Sequence, residues 1–200
     1  MPNTELNLRD RILEISRILV YEEGHQSLTM RKVAKLAGVT ATSIYLYFQN
    51  RDELIHTLIE ESVEELNRHI EQTAEAQTDT VKRVETITKA YVDFALANPE
   101  KYQIIYMIQG EDMARYPKEK FRKVRRGFQV LATTISEGVA LGVMEVEDPV
   151  LAAYSIWGQL HGITSVVLSQ RLDRRIETEK FIQESLNYIV QGFLIQTTIS

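Results

Sequence analysis

The stretch that most constrains this chain is residues 29–53, TMRKVAKLAGVTATSIYLYFQNRDE, where two short helical patterns meet at a glycine. In the first, Met30, Val33, Ala34 and Ala37 recur at i, i+3, i+4 and i+7, one apolar stripe beneath a polar face. Gly38 follows where the chain must turn sharply, since glycine takes positive φ without a Cβ penalty. Ala34 is small enough for a second helix to cross closely. Thr40 is placed to cap that second helix, with Ile44 and Phe48 pointing inward. The pattern predicts a helix-turn-helix, whose second helix can enter the major groove of DNA. Glycine-joined helix pairs also occur in helical proteins that never meet nucleic acid, so the outward face has to decide. At ~100° per residue from Ile44, Thr42 and Leu46 point most directly away from the core, with Ser43 and Tyr45 on the flanks. Leucine and tyrosine among small hydroxyls, with no charge, suit base edges and phosphates better than bulk water.

The net charge of −5 looks wrong for such a role, but its distribution matters more than its sum. Residues 1–50 hold six Lys/Arg (Arg9, Arg11, Arg17, Arg31, Lys32, Lys35) against five Asp/Glu, and the remaining 150 hold 17 against 23. The acidic excess therefore lies outside the helix-turn-helix end. Screening limits charges to a reach of ~8 Å at physiological salt, so a locally basic face suffices. The small positive balance predicts modest non-specific affinity. With 44% hydrophobic residues and few prolines and glycines, the chain can bury a core and is not disordered. Its 200 residues allow one large domain, or a small one joined to a larger. No apolar run approaches the ~20 residues that span a bilayer, so no membrane role is expected. The start, MPNTELNLRDR, lacks the apolar core of a signal peptide. Zero cysteines exclude disulfides and thiolate metal sites, which fits a cytoplasmic protein.

Periodicity predicts about nine helices and no period-2 strand. The first runs from about Asn7 to Glu23, with Leu8, Ile12, Leu13, Ser16 and Leu19 on one face, and stops at Gly24. After the helix-turn-helix pair, Asn50 and Glu53 resemble a capping box opening a long helix to about Ala76. A break at Gln77-Thr78-Asp79 precedes a helix from Thr80 to Ala97. Asn98-Pro99 restarts the chain with a cap and a proline whose missing N–H costs nothing there, and Gly110 ends that segment. Pro117 opens a helix to about Leu141, closed by Gly142. Asp148-Pro149 starts another to about Arg171, and the last spans roughly Glu177 to Thr197. Residues 150–168 are apolar nearly all round, so that helix must be covered on several sides. The last helix carries Ile182, Leu186, Ile189, Val190 and Phe193 as a stripe. The pair suits an internal core or half of a four-helix dimer interface. Two-fold DNA sites need two helix-turn-helix units on a two-fold axis, which favours a homodimer through 149–171 and 177–197.

Leu28-Thr29, Val33-Ala34, Ala37-Gly38-Val39, Ile44-Tyr45, Tyr47-Phe48 and Arg51-Asp52-Glu53-Leu54 form a pattern that resembles the TetR family of bacterial one-component transcriptional regulators. Asn98-Pro99-Glu100 and Trp157 with His161-Gly162 resemble one branch of that family. The resemblance implies an all-α homodimer: a three-helix DNA-binding head (residues 1–50) and a larger helical ligand-binding and dimerisation domain (51–200). Its function would be that of a sequence-specific repressor on a palindromic double-stranded DNA operator, released by a small-molecule inducer of unknown identity, without a cofactor. Carried over by position, Thr29 would cap its helix and touch phosphate, and Arg51, where the family usually has lysine, would grip the DNA backbone. Thr40 opens the recognition helix, and Ala41, Thr42, Ser43, Tyr45, Leu46 and Tyr47 would line the groove. Arg31 and Lys32 are further phosphate candidates, with Lys35.

The recognition helix holds no Arg, Lys, Asn or Gln, so the usual bidentate contacts to guanine and adenine are missing. Thr42, Leu46 and the Tyr45 ring can meet thymine methyls, while Tyr47 and Ser43 reach phosphates, which then supply most of the affinity. In the C-terminal part, Tyr91, Phe94, Tyr106, Met107, Phe128, Trp157 and His161 are the ligand-pocket candidates, although aromatics at helical spacing serve a core equally well. The basic run 118–126 reads as a solvated face. Catalysis has little to stand on. His56 with Glu60 and Glu65 with His69 stand at i, i+4 but lack a third ligand, so neither an enzyme nor a metal site is expected. The alternatives are an activator, or a division-linked or architectural DNA binder of the same fold that needs no inducer.

Overall fold

A computed structural model describes residues 7–106 and 125–194. Among the described residues there are nine α-helices and no strand. They are α1 (Leu8–Glu23), α2 (Met30–Ala37), α3 (Ala41–Tyr45), α4 (Arg51–Glu75), α5 (Thr80–Ala97), α6 (Pro99–Tyr106), α7 (Arg126–Ala140), α8 (Pro149–Leu168) and α9 (Thr178–Gln191). The chain forms two compact units, and the division falls inside α4. Of the described residues, one unit comprises 7–64 and 98–106, the other 65–97 and 125–194.

In the first unit, α1 begins on Asn7, whose Oδ1 accepts from the Asp10 amide at 3.0 Å, and it stops at Gly24, held at φ 81°. A single 3-10 turn, His25–Ser27, leads into α2. Ile12, Leu13, Leu19, Val20, Leu28, Val33, Ile44, Phe48, Leu54 and Leu58 form the core of this unit, all nearly or fully buried. Each large side chain of that kind contributes roughly 1.5–3 kcal/mol by leaving water. Helix α6 packs against α1 within the same unit.

In the second unit, α5, α7, α8 and α9 pack on one another. Asp148 caps α8 by accepting from the amides of Val150 and Leu151, and Pro149 takes the first helical position. Helix α8 ends at Leu168, three residues before the expected Arg171. Gln170 adopts φ 53°, the Gln170 amide returns to the Val167 carbonyl and the Arg171 amide to the Val166 carbonyl. That pair of bonds is a Schellman ending, which the sequence hides because a glutamine rather than a glycine holds the left-handed position. Helix α9 ends at Gln191 rather than near Thr197. Phe193 and Leu194 fold back, Leu194 making an isolated antiparallel bridge to Met144 while the Glu145 amide donates to the Phe193 carbonyl at 3.0 Å. Met144 in turn lies so close to α7 that a Cβ on Gly138 would meet its Sδ at 2.6 Å. The expected start of a helix at Pro117 and end at Gly110 lie outside the described residues.

Candidate nucleic-acid interface

The helix-turn-helix is built by three local devices. Thr29 Oγ1 accepts from the Lys32 amide at 3.2 Å, capping α2. Gly38 takes φ 66°, and the Val39 amide closes on the Ala34 carbonyl at 3.0 Å. Thr40 Oγ1 then accepts from the Ser43 amide at 3.2 Å, with the Ser43 hydroxyl 2.9 Å away. Met30, Val33, Ala34 and Ala37 are buried, as the stripe requires, and so are Ile44 and Phe48. The Arg9 guanidinium sits over the Phe48 ring at 5.7 Å.

What remains outward is an uncharged edge. Leu46 is 80% exposed, Thr40, Thr42, Tyr45 and Tyr47 are exposed, and Ala41 and Ser43 are half-covered. Tyr45, Leu46 and Tyr47 together leave three consecutive large side chains open at the surface. Helix α3 is a short rod: the Tyr47 and Phe48 amides both return to the Ile44 carbonyl as the helix ends. The start of α4 is capped by a variant of the expected box. Asn50 Oδ1 accepts from the Glu53 amide at 2.8 Å, while the Glu53 carboxylate accepts from the Gln49 amide at 2.6 Å rather than from Asn50.

The cations divide into two kinds. Arg31 and Lys35 are exposed, and their side chains make no hydrogen bond or ion pair among the described residues. Lys32 pairs with Glu23. Arg51, expected to grip the DNA backbone, instead turns inward: Nε donates to the Leu28 carbonyl at 2.8 Å and Nη2 to the His25 carbonyl at 2.7 Å. Its remaining terminal nitrogen, Nη1, stands 3.7 Å from Asp52 Oδ1.

The ligand-pocket candidates are divided between the two units. Tyr106 belongs to the first unit, beside Tyr102 with ring centroids 4.7 Å apart, and burial next to that ring pushes the Tyr102 hydroxyl well above its usual pKa. Tyr91 and Phe94 are buried on α5, and the Phe94 ring lies 6.3 Å from His69. Phe128 faces Tyr154 at 4.3 Å, with the Arg125 guanidinium over both rings and donating to the Tyr154 hydroxyl at 2.6 Å. Trp157 lies on the exposed side of α8, stacked on His161 at 6.0 Å, and partial burial lowers the His161 pKa. Met107 lies outside the described residues. Of the basic run 118–126 only Arg125 and Arg126 are described, and Arg126 pairs with Glu71 at 2.9 Å. No set of three or more His, Cys, Asp or Glu suited to a metal occurs among the described residues. None of their helices is long and apolar enough to cross a membrane.

Residues 12–58 match the family model described as bacterial regulatory proteins, tetR family, and residues 84–191 match a tetracyclin repressor-like C-terminal domain. The second match alone spans more than half of the chain. The chain belongs to the TetR family. It is accordingly a DNA-binding transcriptional regulator and not an enzyme. Among relatives of this TetR-family regulator, the nucleoid occlusion factor SlmA of Aliivibrio fischeri is 29% identical over 163 residues, covering 78% of this chain and 81% of that one. The fatty acid metabolism regulator protein of Bacillus subtilis is 21% identical over 185 residues, covering 91% and 93%. The same fold occurs in a Rhodococcus protein of unknown function (TM-score 0.80, 21% identity, 98% and 100% covered). It occurs also in the Bacillus subtilis regulator FadR in complex with stearoyl-CoA (TM-score 0.74, 19% identity, 92% and 98% covered).

Two features of the TetR-family chain escape a reading of the sequence. In the second unit, buried Asn67 accepts from the Gly127 amide at 2.9 Å, and a Cβ at Gly127 would strike that same oxygen at 2.8 Å. Asn67 interrupts the apolar stripe of Val63, Leu66 and Ile70, the one signal that could have flagged it. In the first unit, Arg9 and Arg17 converge on Glu61 at 3.2 and 2.7 Å across a separation in sequence that no local pattern reveals.

Proposed function

We propose that this regulator is a homodimeric repressor that places α3 in successive major grooves of a palindromic operator and is released by a small-molecule inducer. The observation that carries the DNA half is the uncharged exposed edge of Thr42, Tyr45, Leu46 and Tyr47, bordered by unengaged Arg31 and Lys35. Without Arg, Lys, Asn or Gln on α3, base readout rests on apolar contact to thymine methyls, and phosphates supply most of the affinity. Thr29, Thr40, Ala41 and Ser43 frame that edge, and Lys32 can leave Glu23 for a phosphate. The dimer half is supported by the outer side of α8, where Val150, Leu151, Tyr154 and Trp157 are exposed, joined on α9 by Tyr188 at 70% exposure. Gly158 and Gly162 have open space where a side chain would stand, so a partner helix can approach the α8 backbone closely. Residues 1–50 would then serve DNA and 51–200 dimerisation and ligand, in the cytoplasm with the chromosome.

The named relatives point to two ligand behaviours. The stearoyl-CoA held by FadR makes long-chain acyl-CoA the first inducer to test, with Tyr91, Phe94, Tyr106, Met107, Phe128, Trp157 and His161 the candidate contacts. The relatives named nucleoid occlusion factors keep a division-linked role as a second reading, testable as a DNA binder of this fold without an inducer. Thermal melting separates them: a binding acyl-CoA raises the melting temperature by mass action, whereas an inducer-free protein stays flat. By linkage an inducer must also bind more weakly to the operator-bound protein. Selection from a randomised duplex pool, followed by footprinting upstream of the protein's own gene, tests the DNA half. Leu46→Arg in the same selection should shift preference toward guanine at one position per half-site. An unchanged consensus would remove Leu46 from direct readout.

A further inference from the structure

Arg51 is the first residue of α4, where a cation meets the positive end of the helix dipole and gains nothing from the helix itself. Its side chain turns back toward the entrance of α2. Nε reaches the Leu28 carbonyl and Nη2 the His25 carbonyl, so one edge of the guanidinium bridges two carbonyls three residues apart. The His25 carbonyl also closes the 3-10 turn by accepting from the Leu28 amide at 3.2 Å. Leu28 is fully buried and directly precedes Thr29, the cap of α2. The remaining terminal nitrogen, Nη1, lies 3.7 Å from Asp52 Oδ1. A fixed fork of parallel donors can do this; the single ammonium of a lysine cannot hold both carbonyls in the same way.

We infer that Arg51 is a positioning residue for DNA recognition, a strut that fixes the entry of α2, and with it the seating of α3, on the start of α4. This rests on the reading of α3 as the recognition helix. Helix α2 is packed against α3 and the core residues Ile44 and Phe48 lie beneath, so the pose of the outward edge depends on where α2 begins. A phosphate contact and a strut leave different marks. A phosphate contact adds affinity to every sequence and steepens the salt dependence. A strut matters only where α3 must be seated to read bases.

The test measures dissociation constants of the wild-type protein, Arg51→Lys and Arg51→Gln on a duplex selected by the wild type and on its scrambled counterpart. Salt runs from about 50 to 200 mM, and Arg31→Ala serves as the reference for a lost phosphate contact. Arg51→Lys keeps the charge and loses the fork. It should weaken binding to the selected duplex by about tenfold or more, a loss the size of one mismatched base pair. Binding to the scrambled duplex and the slope of log K against log salt should stay as in the wild type. The inference is overturned if Arg51→Lys binds both duplexes like the wild type while Arg51→Gln lowers the slope by ~0.9 per site, the mark of a released counterion. It is equally overturned if either variant loses only melting temperature and keeps its preference for the selected duplex. Should Arg51→Gln fail to fold, the lysine variant still decides. A wild-type protein that selects no sequence at all would sink the DNA reading itself, before any variant is compared.

Discussion

The outward faces of α3 and α8 both expose large apolar side chains, yet they ask for different partners. At α3, a helix of five residues, the exposed Leu46 at its C-cap stands in sequence among the hydroxyl-bearing Thr40, Thr42, Tyr45 and Tyr47. On α8 the exposed Val150, Leu151, Tyr154 and Trp157 lie along a helix of 20 residues that also carries Ser155, Gly158 and Gly162. The first is a narrow edge rich in hydroxyls, and the proposal seats it in a groove walled by phosphates. The second is a broad strip with room for another backbone. Exposed apolar area alone does not name a partner; the polar atoms interleaved with it distinguish the two faces.

The largest effect expected is on what holds the α3 edge in place. Phe48→Ala should cost ~3–5 kcal/mol of head stability, because it empties a buried ring site beneath α3. DNA binding should vanish while the helical signal of the second unit survives; a cooperative loss of all helix would merge the two regions and break the comparison. Next comes the strip. Leu151→Glu with Trp157→Glu should raise the dimer dissociation constant by about 100-fold or more, ~2.7 kcal/mol, read by sedimentation against concentration. An unchanged dimer would move the interface off this face. Thr40→Ala removes the side-chain cap of α3 and should cost about 1 kcal/mol, seen as a lower melting temperature with the fold intact. No change would mean that water serves the Ser43 amide as well as the Thr40 hydroxyl does.

The smallest effect concerns pH. Partial burial lowers the His161 pKa, so the folded state binds this proton less readily than the unfolded chain does. Stability contributed by the neutral ring is present above the ordinary histidine value and falls as pH drops below ~6.5, levelling off beneath the folded pKa. The wild type should lose slightly more stability than His161→Gln between pH 7.5 and 5.5 in denaturant titrations (about two units across the unperturbed value). Parallel curves would place the ring in ordinary solvent and loosen its stack on Trp157.

Much of this architecture was legible before any coordinates. Met30, Val33, Ala34 and Ala37 announced α2, and Gly38, Thr40 and Asp148-Pro149 marked a turn and two helix starts, because caps and left-handed turns depend on residues a few positions apart. The outward set of α3 followed from helical phase alone. Two helix ends were not legible: Gln170 takes a left-handed conformation that its identity does not advertise, and α9 stops before Gly192, which keeps a right-handed conformation, where Leu194 pairs with Met144.

Sequence by itself thus settled the all-helical class, the helix-turn-helix and the family, since these rest on local spacing and on a pattern carried by contiguous residues. Only the tertiary structure decided where the Arg51 side chain goes. A charge at a helix start can face solvent or fold back with equal local ease, and which it does depends on two carbonyls more than 20 residues away in sequence. The same holds for the aromatics of the C-terminal part, whose spacing fits a core, a pocket or an interface alike. Burial of Tyr91 and Phe94 and exposure of Trp157 are properties of the packed helices, not of the residues.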